Sequence, residues 1–350
     1  MKRVGNFYNK IYDLENCKNA IINASKRKKE RSAVKKILEN VDKYALILSE
    51  NIKNKTIKLS PYKKMTIHDG ANKKERIIHK PAFFPDQCVH WALMLQIQPI
   101  LQKGMYEWNC ASVPKRGIHY GSKYIKRIIK DDRKNTKYCV KYDIHHFYQS
   151  IDKELLKAKC RRKIKDKDVL WLIDLVIDSS PDKGMPIGNF TSQWLANFFL
   201  QDLDHYIKEE LKIKYYIRYM DDGVIFGKNK KELKKKFLLI EEFLHKEHLE
   251  LKGNWQLFKV ASRPIDFLGY RFYRGYTTLR RSNFLRIKRR IKKIAKRGYI
   301  RLTDAYAVIS YYGWIIHGDN YNYYKKYVHP YVTIKKCKGV IRNDRSKLKM

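Results

Sequence analysis

Apolar residues change their period several times along this chain, and each change predicts an element. From Ser32 to Asn54, Val34, Ile37, Leu38, Val41, Tyr44, Ala45 and Leu48 recur at helical spacing with lysines between them, which predicts one amphipathic helix packed on a core. From Leu59 to His79, short apolar pairs alternate with Lys63-Lys64 and the turn-forming run Asp69-Gly70-Ala71-Asn72-Lys73-Lys74, the pattern of a hairpin. Phe84 to Leu101 and Trp194 to Tyr206 return to helical spacing. Three short runs read as strands. Tyr138-Cys139-Val140-Lys141-Tyr142-Asp143-Ile144 is apolar and delivers a carboxylate before His145-His146-Phe147-Tyr148 leads to a helix near Asp152. Lys214-Tyr215-Tyr216-Ile217-Arg218 and Gly223-Val224-Ile225-Phe226 are β-branched and aromatic. Tyr219-Met220-Asp221-Asp222 between them predicts a hairpin with acid at its tip, the Asp-Asp-Gly run supplying the turn. Lys230 to Leu251 reads as a charged helix. Asn283 to Gly298 is another, with Phe284, Ile287, Ile291, Ile294 and Ala295 on its packed side, and Thr303-Asp304 can cap a following helix through Tyr311, Tyr312 and Trp314.

At 350 residues and 44% hydrophobic content the chain can bury a sizeable core, in one multi-lobed unit or about two to three subdomains, and is not a disordered chain. Its 77 Lys and Arg against 35 Asp and Glu give +42, spread from the first residues to the last. Such an excess resists compaction until a polyanion compensates it, which favours nucleic acid and binding that weakens steeply with salt. No apolar run of about 18 residues, amphipathic anchor or lipidation motif points to a membrane, and Met1-Lys2-Arg3-Val4-Gly5-Asn6 has no apolar stretch after it to make a secretory signal. The six cysteines lack zinc spacing and read as reduced and structural. His245 and His248 fall on the charged helix, where a solvated face outweighs a metal site. Cys110 to Tyr120, with Lys115-Arg116-Gly117, reads as a basic loop able to contact phosphates, Gly117 letting backbone approach closely. The helix from Asn283 has eight basic residues and no acid, leaving Arg286, Arg289, Arg290 and Lys293 free for a duplex. Tyr321, Tyr323, Tyr324, Tyr327 and Tyr331 have the near-helical spacing of a core, while some of these rings could stack on unpaired bases.

Asp221 and Asp222 raise a sharper question, because burying adjacent carboxylates costs several kcal/mol each unless a cation meets them. An ordinary polar turn accounts for Asp-Asp-Gly taken alone. Asp143, at the end of a buried strand, changes the balance. Three carboxylates from two strands could hold two Mg²⁺ ions roughly 3.5 to 4 Å apart, which activates an attacking hydroxyl and stabilises the leaving oxygen in phosphoryl transfer. Oxygen-only ligands favour Mg²⁺ or Mn²⁺ over zinc.

Three segments in order carry a resemblance: Tyr142-Asp143-Ile144 with Phe147-Tyr148, then Met185-Pro186-Ile187-Gly188-Asn189-Phe190-Thr191-Ser192-Gln193-Trp194-Leu195-Ala196-Asn197, then Tyr219-Met220-Asp221-Asp222. Together they resemble the palm of a reverse transcriptase. Phe267-Leu268-Gly269-Tyr270 resembles that family's primer-gripping hairpin. Arg76-Ile77-Ile78 with Pro81 and Asp86 resembles the fingers segment whose basic residue meets the incoming triphosphate. The resemblance implies an α+β right-hand polymerase fold with fingers, an antiparallel-sheet palm and a helical thumb. Its divisions would be 1–58 (an N-terminal helical segment), 59–275 (fingers and palm) and 276–350 (a basic helical thumb), with no room for an RNase H or endonuclease domain.

By the same resemblance, Asp143, Asp221 and Asp222, with Ile144, would hold two Mg²⁺ ions, Mn²⁺ being a substitute, for RNA-directed DNA synthesis. Arg76, Tyr148, Ile187, Gly188, Gln193 and Lys252 would form the nucleotide site, and Lys115, Arg116, Arg286, Arg289, Arg290 and Lys293 would meet nucleic acid. Tyr148 occupies the place of the ribose gate, and a core tyrosine at a strand-to-helix junction accounts for it equally well. Lys252 lies where relatives place a lysine that protonates pyrophosphate, although Gly253-Asn254-Trp255 departs from the usual continuation. The Ile-Gly-Asn-x-Thr-Ser-Gln form is similar to enzymes of diversity-generating retroelements, with Ile187 where most relatives have a Gln and Gln193 where they have Pro. That likeness implies errors chiefly opposite template adenines. Group II intron-like maturases and phage-defence reverse transcriptases share the palm and are the alternatives. Implied partners are a structured template RNA, the cDNA/RNA duplex, dNTPs and a small basic helical accessory protein, in a bacterial, archaeal or phage-encoded cytoplasmic setting.

Overall fold

The computed structural model describes residues 3–69, 74–180 and 183–347. The predicted hairpin forms from β1 (Lys63–Asp69) and β2 (Lys74–Lys80), antiparallel with Lys63 opposite Lys80; of its predicted turn, Gly70 to Lys73 lie outside the described residues. A four-stranded sheet follows, from β3 (Tyr138–Asp143), β4 (Tyr216–Tyr219), β5 (Asp222–Gly227) and β6 (Gln256–Lys259). Its spatial order is β4-β5-β3-β6, with every neighbouring pair antiparallel. A smaller sheet joins β7 (Ile265–Phe267), β8 (Tyr270–Phe272) and β9 (Thr277–Leu279).

Period-two alternation divides the four-stranded sheet between two cores. Val140, Tyr142, Tyr216 and Ile225 enter one, which they share with helices Leu14–Ser25, Val41–Lys53, Cys88–Gln102, Lys167–Asp178, Phe190–Phe199 and Lys230–Lys246. Cys139, Ile217, Val224, Phe226 and Phe258 enter the other, with helix Ile118–Asp131, the smaller sheet and helices Arg281–Arg297 and Leu302–Ile316. This is the α+β arrangement of fingers hairpin, antiparallel palm and helical thumb that the motifs imply. All six cysteines are buried and free. No helix among the described residues is long and apolar enough to cross a membrane.

Several boundaries differ from the sequence reading. The single helix expected from Ser32 to Asn54 is two, Ser32–Leu38 and Val41–Lys53. Asn40 leaves helical geometry at φ −129° while its carbonyl accepts from Tyr44 N–H at 3.1 Å, so it opens the second helix. The charged helix ends at Lys246, and His248 pairs with Asp152 at 2.9 Å. Of Thr303 and Asp304, the aspartate caps, accepting from Arg301 N–H at 3.3 Å. Ala295, expected on the packed side, is exposed. Tyr323 is buried and Tyr324 and Tyr327 pack against the second core, whereas Tyr321 and Tyr331 are exposed. Strand β9 pairs with β8, so the smaller sheet straddles the expected 275/276 division, and the N-terminal helices share a core with the palm.

Candidate active site

Antiparallel pairing of β3 with β5 sets Asp143 directly opposite Asp222, so their side chains rise from the same face of the sheet. Tyr219 pairs with Asp222, which leaves Met220 and Asp221 as the two-residue turn. Sequence reasoning had assigned the turn to Asp-Asp-Gly. Instead Met220 takes the positive φ, +56°, at a cost of about 1 kcal/mol for a residue with a Cβ. Gly223 is a strand residue opposite Tyr142, and a Cβ there would come within 2.2 to 2.6 Å of that ring. Its glycine is a packing requirement. The chain just before Gly253 closes the other side: Ile144 bridges Leu251, His145 N–H donates to Glu250 O at 2.7 Å, and Lys252 N–H donates to Asp143 O at 2.9 Å. Ile144 N–H also donates to Asp221 O, at 3.3 Å.

The site is crowded with negative charge. Burial first, then the charges of Asp143 and Asp221, push the Asp222 carboxyl up to about 6. Burial and then Asp143 raise Asp221 as well. Asp143 gives Oδ2 to the Lys252 ammonium, while its Oδ1 is buried with no hydrogen-bond partner. Among the described residues no group of three or more His, Cys, Asp or Glu side chains is gathered closely enough to hold an ion, so the expected three-carboxylate set is brought near without closing. Lys252 pairs with Asp143, and Lys141 and Lys252 offset part of the charge around Asp222. An orphaned carboxylate oxygen beside two carboxyls that resist ionisation, all hard oxygen donors, fits a divalent cation such as Mg²⁺. Tyr148 borders this group: its hydroxyl donates to Met220 Sδ at 3.6 Å, and burial followed by Asp221 raises the phenol.

The loop before helix Phe190–Phe199 joins the site to the β1–β2 hairpin. Met185 N–H donates to Tyr148 O at 2.7 Å, and His79 N–H donates to Ile187 O at 2.9 Å. Gly188 lies at φ +120°, where a Cβ would sit 2.7 Å from Ile78 Cγ2 and 2.8 Å from His79 O. Ile187 is half-buried at this junction, and Phe190 stacks on Trp91 at 4.0 Å. Arg76 is exposed on β2, three residues before His79. Gln193 is exposed and accepts from Ser112 Oγ at 3.3 Å, in the basic loop.

Two expected phosphate contacts are engaged within the protein. Arg116 Nη1 donates to Tyr106 O at 2.7 Å, holding the loop that exposes Lys115. Gly117 has open space around it and a nearly extended φ, so no close approach within the chain requires it. Arg290 lies 3.2 Å from Asp304 Oδ1, and Arg297 takes Oδ2. Arg286, Arg289 and Lys293 remain exposed.

Sequence reasoning missed Arg218, which it read only as a strand residue. Arg218 and Asp204 form an ion pair at 2.6 Å with each side chain 1% exposed. Asn197 Oδ1 and Met220 O accept from Arg218 Nη1, at 3.2 and 2.9 Å. An arginine inside an apolar strand was the available signal, since a buried guanidinium requires a partner.

Comparison with known proteins agrees with this geometry. The family described as "Reverse transcriptase (RNA-dependent DNA polymerase)" matches residues 62–272. Group II intron-encoded protein LtrA of Lactococcus lactis subsp. cremoris is 23% identical over 329 residues, covering 72% of this chain and 53% of that protein. Retron Ec73 reverse transcriptase of Escherichia coli is 33% identical over 141 residues, covering 36% of this chain and 44% of that protein. Among solved structures, apo telomerase from Candida tropicalis has a TM-score of 0.43 at 13% identity, covering 65% of this chain and 51% of that one. Telomerase from Candida albicans with a fragment of telomeric RNA has a TM-score of 0.47 at 10% identity, covering 64% and 46%. The chain spans about half the length, or less, of the curated relatives it matches. A match over 62–272, well over half of the 350 residues and including Asp143, Asp221 and Asp222, makes this chain a member of the reverse transcriptase family.

Proposed function

We propose that the chain is an RNA-directed DNA polymerase that extends a primer 3′-hydroxyl with dNTPs on a template RNA. The observation that carries this reading is the pairing of Asp143 with Asp222 beside the Asp221 turn, with Asp143 Oδ1 buried and unsatisfied. Asp143, Asp221 and Asp222, with Ile144 adjoining, would hold two Mg²⁺ ions, or Mn²⁺, which would supply the charge that activates the hydroxyl and stabilises the departing oxygen. Lys252, already at Asp143, can deliver its ammonium proton to pyrophosphate. Arg76 neutralises triphosphate charge from β2. Arg286, Arg289 and Lys293 meet the cDNA/RNA duplex, and a small basic helical accessory protein completes the complex. Asp143→Asn or Asp221→Asn is expected to abolish Mg²⁺-dependent extension while RNA affinity stays within about twofold, because that affinity rests on distributed cations. Primer extension and filter binding on one preparation test this; extension by either variant would defeat the assignment.

The finer reading is mutagenic synthesis in a diversity-generating retroelement, and it rests on Ile187. Its carbonyl is taken by His79, and its apolar side chain has no hydrogen bond to offer a nucleotide. Selection by shape alone is worth about 1–3 kcal/mol, which permits errors that a hydrogen-bonding site rejects. Ile187→Gln is therefore expected to lower misincorporation opposite adenine more than opposite other bases. Sequenced cDNA from both proteins on one template decides it, equal and low error rates removing the mutagenic reading. Similarity to LtrA over most of the chain favours a second reading, an intron-encoded protein acting on its own RNA. Splicing assisted by this protein in the absence of dNTPs would select that one.

A further inference from the structure

We propose that Arg218 is a positioning residue for the Met220–Asp221 turn and couples that turn to the basic loop after Trp108, an inference that rests on the polymerase reading. The guanidinium is used on three sides. Its Nε and Nη2 donate to Asp204 Oδ1 and Oδ2 at 2.8 and 2.6 Å, and Tyr216 Oη adds a bond to Oδ1 at 2.9 Å. The remaining nitrogen, Nη1, donates to Met220 O and to Asn197 Oδ1. Met220 is the residue at positive φ that aims Asp221, and no glycine is there to make that conformation easy. Arg218 therefore fastens the carbonyl of the strained residue to a buried carboxylate on the short helix Gln201–His205.

The same residue reaches the basic loop through its main chain. Arg218 N–H donates to Trp108 O at 3.1 Å, and Cys110 N–H donates to Arg218 O at 2.9 Å. Asn197, which accepts from Arg218, also donates through Nδ2 to Ala111 O at 2.7 Å. A nucleic-acid strand that shifts the loop bearing Lys115 moves the backbone of Arg218, and with it the turn. Lysine could keep the charge opposite Asp204. It could not hold Asp204, Asn197 and Met220 together, because its donors sit on one nitrogen.

Arg218→Lys is expected to lose about tenfold or more in kcat with the dNTP KM within about twofold, the pattern of a lost transition-state alignment. Hydrogen–deuterium exchange at Met220 to Gly223, measured without nucleic acid or metal, should quicken while the global melting temperature moves only slightly. Unchanged kcat with unchanged exchange overturns the proposal. So does a kcat loss that disappears when each protein is assayed equally far below its own melting temperature, since that marks a merely structural residue. Tyr216→Phe is the milder variant, removing the phenol bond to Asp204 while keeping the ring. It should show the same split at smaller amplitude, and it decides the matter if Arg218→Lys does not fold. A wild-type chain that extends no primer sinks the polymerase reading, and the exchange comparison then decides the clamp alone.

Discussion

Asp222 shows at single-residue scale what the three carboxylates do to one another. Its carboxyl is pushed up to about 6, so the folded chain holds that proton more tightly than the unfolded chain does. The sign is the reverse of that for a salt-bridged acid. The stability it contributes is fully present below the ordinary carboxyl range, about 4, and is lost as pH rises through about 6. In chelator the melting temperature is expected to fall across that window, and Asp222→Asn to flatten the fall; Mg²⁺ should restore stability at neutral pH. Thermal melts at stepped pH read this, and an equal slope in wild type and variant would contradict it. These acids were legible in the sequence because a carboxylate that ends an apolar strand run is costly to bury unless a cation meets it. Arg218 was not, because its partners Asp204 and Asn197 come from helical segments that meet β4 only in the folded molecule.

At the scale of elements, periodicity located the hairpins and most helices, while their joints depended on packing that no local pattern contains. Asp-Asp-Gly has ordinary turn chemistry, yet the turn falls one residue earlier because Gly223 is needed flat against Tyr142. Gly223→Ala is expected to cost about 1–3 kcal/mol of stability by overpacking, and to lower extension further by displacing Asp222. Denaturant melts beside extension rates test both parts; an alanine accepted without loss would show that Tyr142 can move aside. The break at Asn40 has a similar origin. Apolar spacing continued across it, but Asn40, whose side chain donates back to Lys36 O at 3.4 Å and caps no backbone N–H, leaves helical geometry and divides the run.

For the whole molecule, the excess of +42 was legible as a preference for polyanions, but composition could not say which cations are spent inside. Arg290 and Arg297 neutralise the buried Asp304, whereas Arg286, Arg289 and Lys293 face outward. Arg290→Ala should therefore lower the melting temperature and leave RNA affinity nearly intact. Replacing Arg286, Arg289 and Lys293 together by Ala should spare stability and flatten the dependence of log affinity on log salt by about 0.7–0.9 for each phosphate no longer neutralised. Affinity measured over a salt series, with melts alongside, separates the two; matching effects would erase the distinction. The strand order β4-β5-β3-β6 has a consequence for biosynthesis. A ribosome delivers β3 first, and its hydrogen-bonding partners β5 and β6 follow only after Asp222 and Gln256 emerge. Until then this inner strand of the sheet is a nascent ribbon with both edges bare and Cys139, Val140 and Tyr142 uncovered. That is the state in which chains associate with one another, so a lower expression level should raise the soluble yield, and a translational pause placed between β3 and β5 should lower it.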